Sequence, residues 1–281
     1  MNTPVETGMM WQNKHESRFL RADPAAGRFQ VNRSAFVDPN VFQEEKTKLL
    51  KRSWVFLGHE SEVAKPGDYI TRKILDYNLI FCKDRDNKVH AYFNSCTHRG
   101  ATILRDPSGN KKSFTCPYHG WTFSNTGRLV DQSCQHGYPE NFSADGSYNL
   151  VNVPRIESRR GFWFVNFDAS GPNLTDYLGD AGDRIDMIAD HSAAGLEVIN
   201  GCHEYYIRAN YKLMCENSYD GYHLNITHAS YVDYMKTMVK GMDMATIDIR
   251  GGARSFGNGH ACFELRIPTG RPVGMRSSKQ A

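Results

Sequence analysis

The chain has 281 residues, 34 Lys and Arg against 31 Asp and Glu for a formal charge of +3, and hydrophobic and charged shares of 40% and 23%. That is enough chain for one large or two ordinary domains. So slight a charge excess, with no basic stripe, implies neither a nucleic-acid nor a membrane partner. No apolar run approaches the roughly 18 residues of a membrane span. The N-terminus mixes Glu6, Glu16 and Asp23 with basic residues and lacks an apolar signal-peptide core.

Asp38-Pro39 predicts a helix from Asn40 to about Arg52, with an Asp cap and Pro in the first turn. From Trp54 the texture changes to short apolar or alternating runs, Trp54–Gly58, Tyr69–Ile74, Leu79–Cys82 and Val89–Asn94, divided by the turn signals Pro66-Gly67 and Asp86-Asn87. This is the pattern of a small antiparallel β domain. Trp121-Thr122-Phe123 and Arg128-Leu129-Val130, joined by Ser124-Asn125-Thr126-Gly127, predict a hairpin. Gly161–Phe167 predicts a buried strand closing the module. After Gly171-Pro172 the spacing of Leu174, Tyr177, Leu178, Ile185 and Ile188 is helical to about Ala189, interrupted by Gly179 and Gly182. Tyr205–Ala209 reads as a strand and Lys212 to about Tyr222 as a helix. Gly270 to Ala281 has basic residues and no acidic one, and reads as a disordered tail.

Seven cysteines would allow three disulfides in an oxidising compartment. Two belong to a motif, and Cys82, Cys134, Cys202, Cys215 and Cys262 are scattered, which fits reduced thiols and a cytoplasmic location. Cys82, in the run Leu79-Ile80-Phe81-Cys82, is expected to be a small core residue.

The motif is Cys96-Thr97-His98-Arg99-Gly100 followed by Cys116-Pro117-Tyr118-His119-Gly120-Trp121, that is, Cys-x-His, seventeen residues, then Cys-x-x-His. Each half offers a soft thiolate and a borderline imidazole. Two thiolates on one iron and two imidazoles on the other is the Rieske arrangement of a [2Fe-2S] cluster, an electron relay. The same four donors could hold a structural zinc ion. Zinc knuckles, however, usually pair Cys with Cys and His with His, whereas both halves here are mixed. The glycines suit tight loops whose N–H groups approach the cluster sulfurs.

A second signal is Asp220-Gly221-Tyr222-His223 followed by His228. Two imidazoles and a carboxylate can form a facial triad on Fe(II), with positions left open for dioxygen and substrate. At about 100° per residue Asp220 and His223 share a helical face, while His223 and His228 point roughly 140° apart. Both reach one ion only if the helix ends between them, for which Asn225-Ile226-Thr227 is the candidate break.

Together these residues resemble the large (alpha) subunit of Rieske non-haem iron aromatic ring-hydroxylating dioxygenases over roughly residues 35–265. The segments Gly195-Leu196-Glu197-Val198, Asn210-Tyr211-Lys212-Leu213, Glu216-Asn217 and Asp220-Gly221-Tyr222-His223 look most like the benzoate, toluate and anthranilate branch. The resemblance implies an α+β protein, with a small antiparallel β Rieske domain inserted before an incomplete α/β helix-grip-like catalytic domain. The corresponding divisions are an N-terminal segment 1–45, a Rieske domain 46–167, a partial catalytic domain 168–269 and the tail 270–281.

It further implies that Cys96, His98, Cys116 and His119 ligate the cluster and that His223 and His228 ligate mononuclear iron. Asp220 matches the carboxylate that bridges an iron-ligand histidine and a neighbouring subunit's cluster histidine. Met214 and Asn217 fall near the expected substrate pocket. The implied protein is a terminal oxygenase component that takes electrons from NADH through a separate reductase, with or without a ferredoxin. Its partners would be a small beta subunit in an α3β3 assembly, an aromatic substrate and O2. The product would be the cis-dihydrodiol of an aromatic, carboxylated substrate. A Rieske ferredoxin-like carrier is the alternative, for which residues 175–265 would be surplus. The family's third iron ligand, a downstream carboxylate, has no match here. Asp243, Asp248 and Glu264 are the late acids, and none has the matching context. The expectation is a chain truncated at its C-terminus relative to the family, which loads its cluster, binds Fe(II) weakly and turns over poorly.

Overall fold

In the computed structural model, which describes residues 18–199, 201–238 and 250–266, the chain begins with a hairpin of β1 (Leu20–Asp23) and β2 (Arg28–Val31), followed by the short α1 (Ser34–Val37). Asp38 then accepts a hydrogen bond from the Asn40 N–H and caps α2 (Pro39–Lys48). The helix stops at Leu49 and a single 3₁₀ turn, Leu50–Arg52, replaces the predicted last turn.

The strands that follow are β3 (Val55–His59), β4 (Asp68–Ile74), β5 (Tyr77–Lys83), β6 (Val89–Phe93), β7 (Ser108–Asn110), β8 (Ser113–Thr115), β9 (Thr122–Ser124), β10 (Leu129–Asp131), β11 (Arg155–Arg159) and β12 (Phe162–Asn166). Among the described residues they form antiparallel sheets in the orders β6-β5-β4-β7, β10-β9-β8 and β11-β12-β3. Strand β5 explains its own sequence. Ile80 and Cys82 face a core shared with Tyr69, Phe114, Trp121 and Phe123, while Leu79 and Phe81 face a second core with Leu57, Val63 and Val165. A strand buried on both faces reads as a continuous apolar run and not as an alternation. Cys82 is fully buried, and burial pushes its thiol up to about 12, so it is an inert core residue.

Two helices, α3 (Leu174–Leu178) and α4 (Gly182–Ala189), follow β12, broken at Gly179 as the sequence suggests. They pack Leu174 and Leu178 on Trp54, and Arg159 at the end of β11 grips Asp186 through Nε and Nη2 at 2.9 and 2.7 Å. Beyond them lie α5 (Tyr211–Tyr219), α6 (Leu224–Thr227), α7 (Ala229–Met238) and a hairpin of β13 (Arg250–Gly257) and β14 (His260–Arg266). Tyr205–Ala209 is not the expected strand: it has no regular structure, and Tyr205 and Tyr206 are exposed. A strand needs a partner edge to hold it, whatever its propensity. The tail 270–281 lies outside the described residues.

Candidate metal centres

The two Cys-His segments fold into matching knuckles. In the first, the Cys96 N–H donates to Ala101 O at 2.8 Å and the Gly100 N–H to Cys96 O at 2.8 Å; in the second, Cys116 N–H donates to Trp121 O at 2.7 Å and Gly120 N–H to Cys116 O at 3.0 Å. Gly100 and Gly120 have φ of +76° and +73°, a conformation glycine adopts without a Cβ clash. Their N–H groups close the loops, which leaves other N–H groups of the same loops to approach sulfur. The N–H groups that face the Cys96 sulfur are those of His98 and Arg99.

Both cysteines are buried, and their thiols are near enough for each to act on the other's ionisation. Burial and the Cys116 thiol push the Cys96 thiol up, against the pull of the His98 and Arg99 N–H groups. The His98 and His119 rings form a second pair, with centroids 4.8 Å apart. Burial, then the nearby His119 and Arg99, hold His98 below its ordinary value, in the neutral form that binds metal. Its Nδ1 is buried and without a hydrogen-bond partner. An orphan of this kind costs about 1–3 kcal/mol unless something coordinates it.

Sulfur beside sulfur and imidazole beside imidazole is the division that sets a Rieske [2Fe-2S] core apart from the four-cysteine kind. The zinc alternative would need all four donors on one ion, whereas the two sulfurs and the two imidazoles here form separate pairs. The donor set therefore fits a Rieske cluster.

Neighbouring residues fix these ligands. Buried Asn94 donates from Nδ2 to Leu104 O at 2.7 Å, and its Oδ1 accepts from the N–H groups of Ile103 and Leu104. It thereby ties both ends of the first knuckle together. Ser133 Oγ donates to His119 O at 2.5 Å and Thr97 Oγ1 to Tyr148 O at 2.7 Å. Trp121 stacks on His98 at 4.7 Å and 7°, backed by Tyr138, Phe142 and Tyr148. Trp121 stands inside the motif and could have been recognised there; Asn94 and Ser133 carry no sequence signal.

The second site sits on an interrupted helix. Helix α5 ends at Tyr219, and Asp220 is its C-cap in an extended conformation (φ −83°, ψ 108°). Asp220 and His223 therefore do not share a helical face. They meet across a turn, where Asp220 Oδ1 accepts from the Tyr222 N–H at 2.7 Å and Oδ2 pairs with His223 Nδ1 at 2.9 Å. The His223 bond, then the backbone bonds, hold the Asp220 carboxyl below its usual range. With Nδ1 engaged, Nε2 is the nitrogen left for a metal.

Residues 225–227 are not the break. The N–H groups of Ile226 and Thr227 bond His223 O and form α6, and the interruptions fall at Asp220–His223 and at His228. This brings the His223 and His228 rings to 5.3 Å between centroids. No third donor gathers with them among the described residues. Glu264 pairs with Arg184 Nε at 2.6 Å, and Asp243 and Asp248 lie outside the described residues. Met214 and Asn217 are exposed on α5.

A family model described as "Rieske [2Fe-2S] domain" matches residues 53–147, which include all four knuckle donors. The chain is 35% identical to 2-halobenzoate 1,2-dioxygenase large subunit of Burkholderia cepacia over 98% of its length and 62% of that protein. It is 36% identical to toluate 1,2-dioxygenase subunit alpha of Pseudomonas putida, over 90% and 59%. It thus spans about three fifths of the length of the curated relatives it matches. Among solved structures, naphthalene 1,2-dioxygenase from Rhodococcus sp. bound to indole superposes with a TM-score of 0.74 at 35% identity, over 86% of this chain and 54% of that one. Similarity along nearly the whole length, together with paired mixed knuckles, places this chain in the large (alpha) subunit family of Rieske aromatic-ring dioxygenases.

Proposed function

We propose that the chain serves as the large subunit of a terminal oxygenase that cis-dihydroxylates an aromatic, carboxylated substrate with O2. The Rieske division runs over 46–167 and the iron-binding division over 168–269. Cys96, His98, Cys116 and His119 would hold the [2Fe-2S] cluster, and His223 and His228 the Fe(II). The cluster supplies one-electron transfer and the iron supplies oxygen chemistry.

The chain's own residues do the rest. The N–H groups of His98 and Arg99 offset charge on the Cys96 sulfur, a lever on potential. Asp220 fixes the His223 tautomer and orients its ring. The packed aromatics around Trp121 keep water from His98.

Electrons would come from NADH through a separate reductase, with or without a ferredoxin. A small beta subunit and further alpha subunits would complete an α3β3 assembly in the cytoplasm. In support, the relatives are named as subunits, and among the described residues no helix is long and apolar enough to cross a membrane.

The observation that carries this reading is the separate pairing of two thiols and two imidazoles, with His98 Nδ1 buried and unpartnered. The carrier alternative leaves the His223–His228 pair without a use.

The test is iron and acid-labile sulfide quantitation on the purified protein, before and after mild chelation, with EPR of the dithionite-reduced form and oxygen uptake on a panel of aromatic acids. The expected protein is red-brown and shows a reduced Rieske signal. It loses its mononuclear iron to chelator well before its cluster, because two imidazoles are the donors described for that ion. A colourless, zinc-loaded protein without labile sulfide would overturn the proposal.

A further inference from the structure

Gly221 lies between the carboxylate and the imidazole of the second site, and the reason for a glycine there is spatial. It is not among the residues with positive φ, so its backbone is one that any residue can adopt. A Cβ at 221, however, would overlap Cε2 and Cζ of the Phe263 ring. The β14 strand thus brings an aromatic ring close against the Asp220–His223 turn, at the point where that turn has no side chain to push it away.

The hairpin carrying the ring is itself anchored. His260 Nε2 and Asn258 Nδ2 lie 2.9 and 3.1 Å from Tyr177 O, at the end of α3, and Glu264 pairs with Arg184 of α4. Helix α4 is in turn gripped by Arg159 of β11. Ion pairs and packed contacts therefore link β11, through α4 and β14, to Gly221.

Resting on the iron-site reading above, we propose that Phe263 is a positioning residue for the second site. Its ring clamps Gly221, so that Asp220 meets His223 Nδ1 and the imidazole presents Nε2 beside His228. Phe263 touches neither metal nor substrate in this role.

The test uses the cluster-loaded full chain and four variants: Gly221→Ala, Phe263→Ala, Phe263→Leu and the double variant Gly221→Ala/Phe263→Leu. Two readouts are needed. One is hydrogen exchange of the amides at 221–223, where the Tyr222 N–H donates to Asp220. The other is Fe(II) affinity under anaerobic conditions.

Gly221→Ala is expected to speed exchange at these amides and to weaken Fe(II) binding on the order of tenfold, as loss of a ligand-orienting group does. The Rieske spectrum should not change. Phe263→Ala should do the same to a smaller degree. The double variant should recover most of what Gly221→Ala lost, because the smaller side chain leaves room for the added methyl. Additive losses in the double variant, or unchanged exchange in Gly221→Ala, would overturn the clamp. Exchange that follows the expected pattern in a protein whose wild type takes up no Fe(II) would support the clamp and sink the iron-site reading instead.

Discussion

Replacing a neutral imidazole by a thiolate adds negative charge to whatever metal core the knuckles hold. His98→Cys is therefore a sharp test at the scale of one residue. If His98 is a cluster ligand, the variant keeps an iron–sulfur centre and its reduction potential falls, on the order of 100 mV or more. An EPR-monitored redox titration reads this directly, and an unchanged potential would remove His98 from the ligand set. Asp84 offers a second single-residue test, away from the metals. It is buried at the β5–β6 turn, where Oδ1 accepts from the N–H groups of Asp86 and Lys88 at 2.8 and 2.9 Å and Oδ2 meets His90 Nε2 at 2.7 Å. Burial pushes its carboxyl up, but these bonds together outweigh burial and hold it below its ordinary value. A carboxyl depressed in the folded state stabilises fully above its unfolded value, about 4, and loses that contribution as pH falls through the lower folded value. Asp84→Asn should cost about 1–3 kcal/mol near neutrality. In urea titrations, the gap to wild type should narrow as the pH is taken below about 4. A gap independent of pH would mean that the charge on Asp84 does not matter.

At the scale of elements, what was legible in the sequence was whatever local chemistry dictates. The cap Asp38, the turn residues Gly67 and Asn87 with φ of +91° and +62°, and the doubly buried β5 are all set by neighbours in the chain. The cluster ligands were legible for the same reason, since coordination demands fixed residue types at short spacing. The three-residue strands β7 and β8 are too short to show a period, and the hairpins β1–β2 and β13–β14 were not anticipated. Nor could sequence place the ring of Phe263 on Gly221 from 42 residues away. The same limit hid Asn94, which reads as the last residue of a strand and serves as the tie of a metal loop. Asn94→Ala would strand the Ile103 and Leu104 N–H groups and the Leu104 carbonyl without their buried partner. The expected cost is about 1–3 kcal/mol for each group left unpaired. Because the groups belong to the first knuckle, the loss should show as reduced iron and labile sulfide per chain. Normal cluster content with normal thermal stability would contradict this role.

Across the whole molecule, burial is divided unevenly, and stability should follow it. The large buried side chains, Tyr69, Phe81, Tyr92, Phe114 and Phe123, all sit in the sheets that surround the knuckles. Helix α5 buries no residue, and Tyr205, Tyr206 and Ile207 before it are exposed. Among the described residues, the contacts that hold α5 include the Phe42 and Tyr211 rings, 6.3 Å apart. Lys212 Nζ bonds both Glu45 carboxylate oxygens at 2.8 Å, Asn210 Nδ2 donates to Phe36 O at 3.2 Å, and Phe263 packs on Gly221. A partly exposed ion pair contributes about 0–1 kcal/mol, whereas burying one aromatic or aliphatic side chain contributes about 1.5–3 kcal/mol. The two regions should therefore open at different free energies, since local opening tracks buried apolar contact. As urea is raised in the isolated chain, peptides covering 201–238 should lose hydrogen-exchange protection first. Peptides covering 77–93 should stay protected, and the visible absorption of the cluster should persist through that first transition. A single transition, with colour and all peptides lost together, would show instead that the second iron site is locked to the Rieske fold as one cooperative unit, and that the Arg159–Asp186 and Arg184–Glu264 links carry far more than their exposure implies.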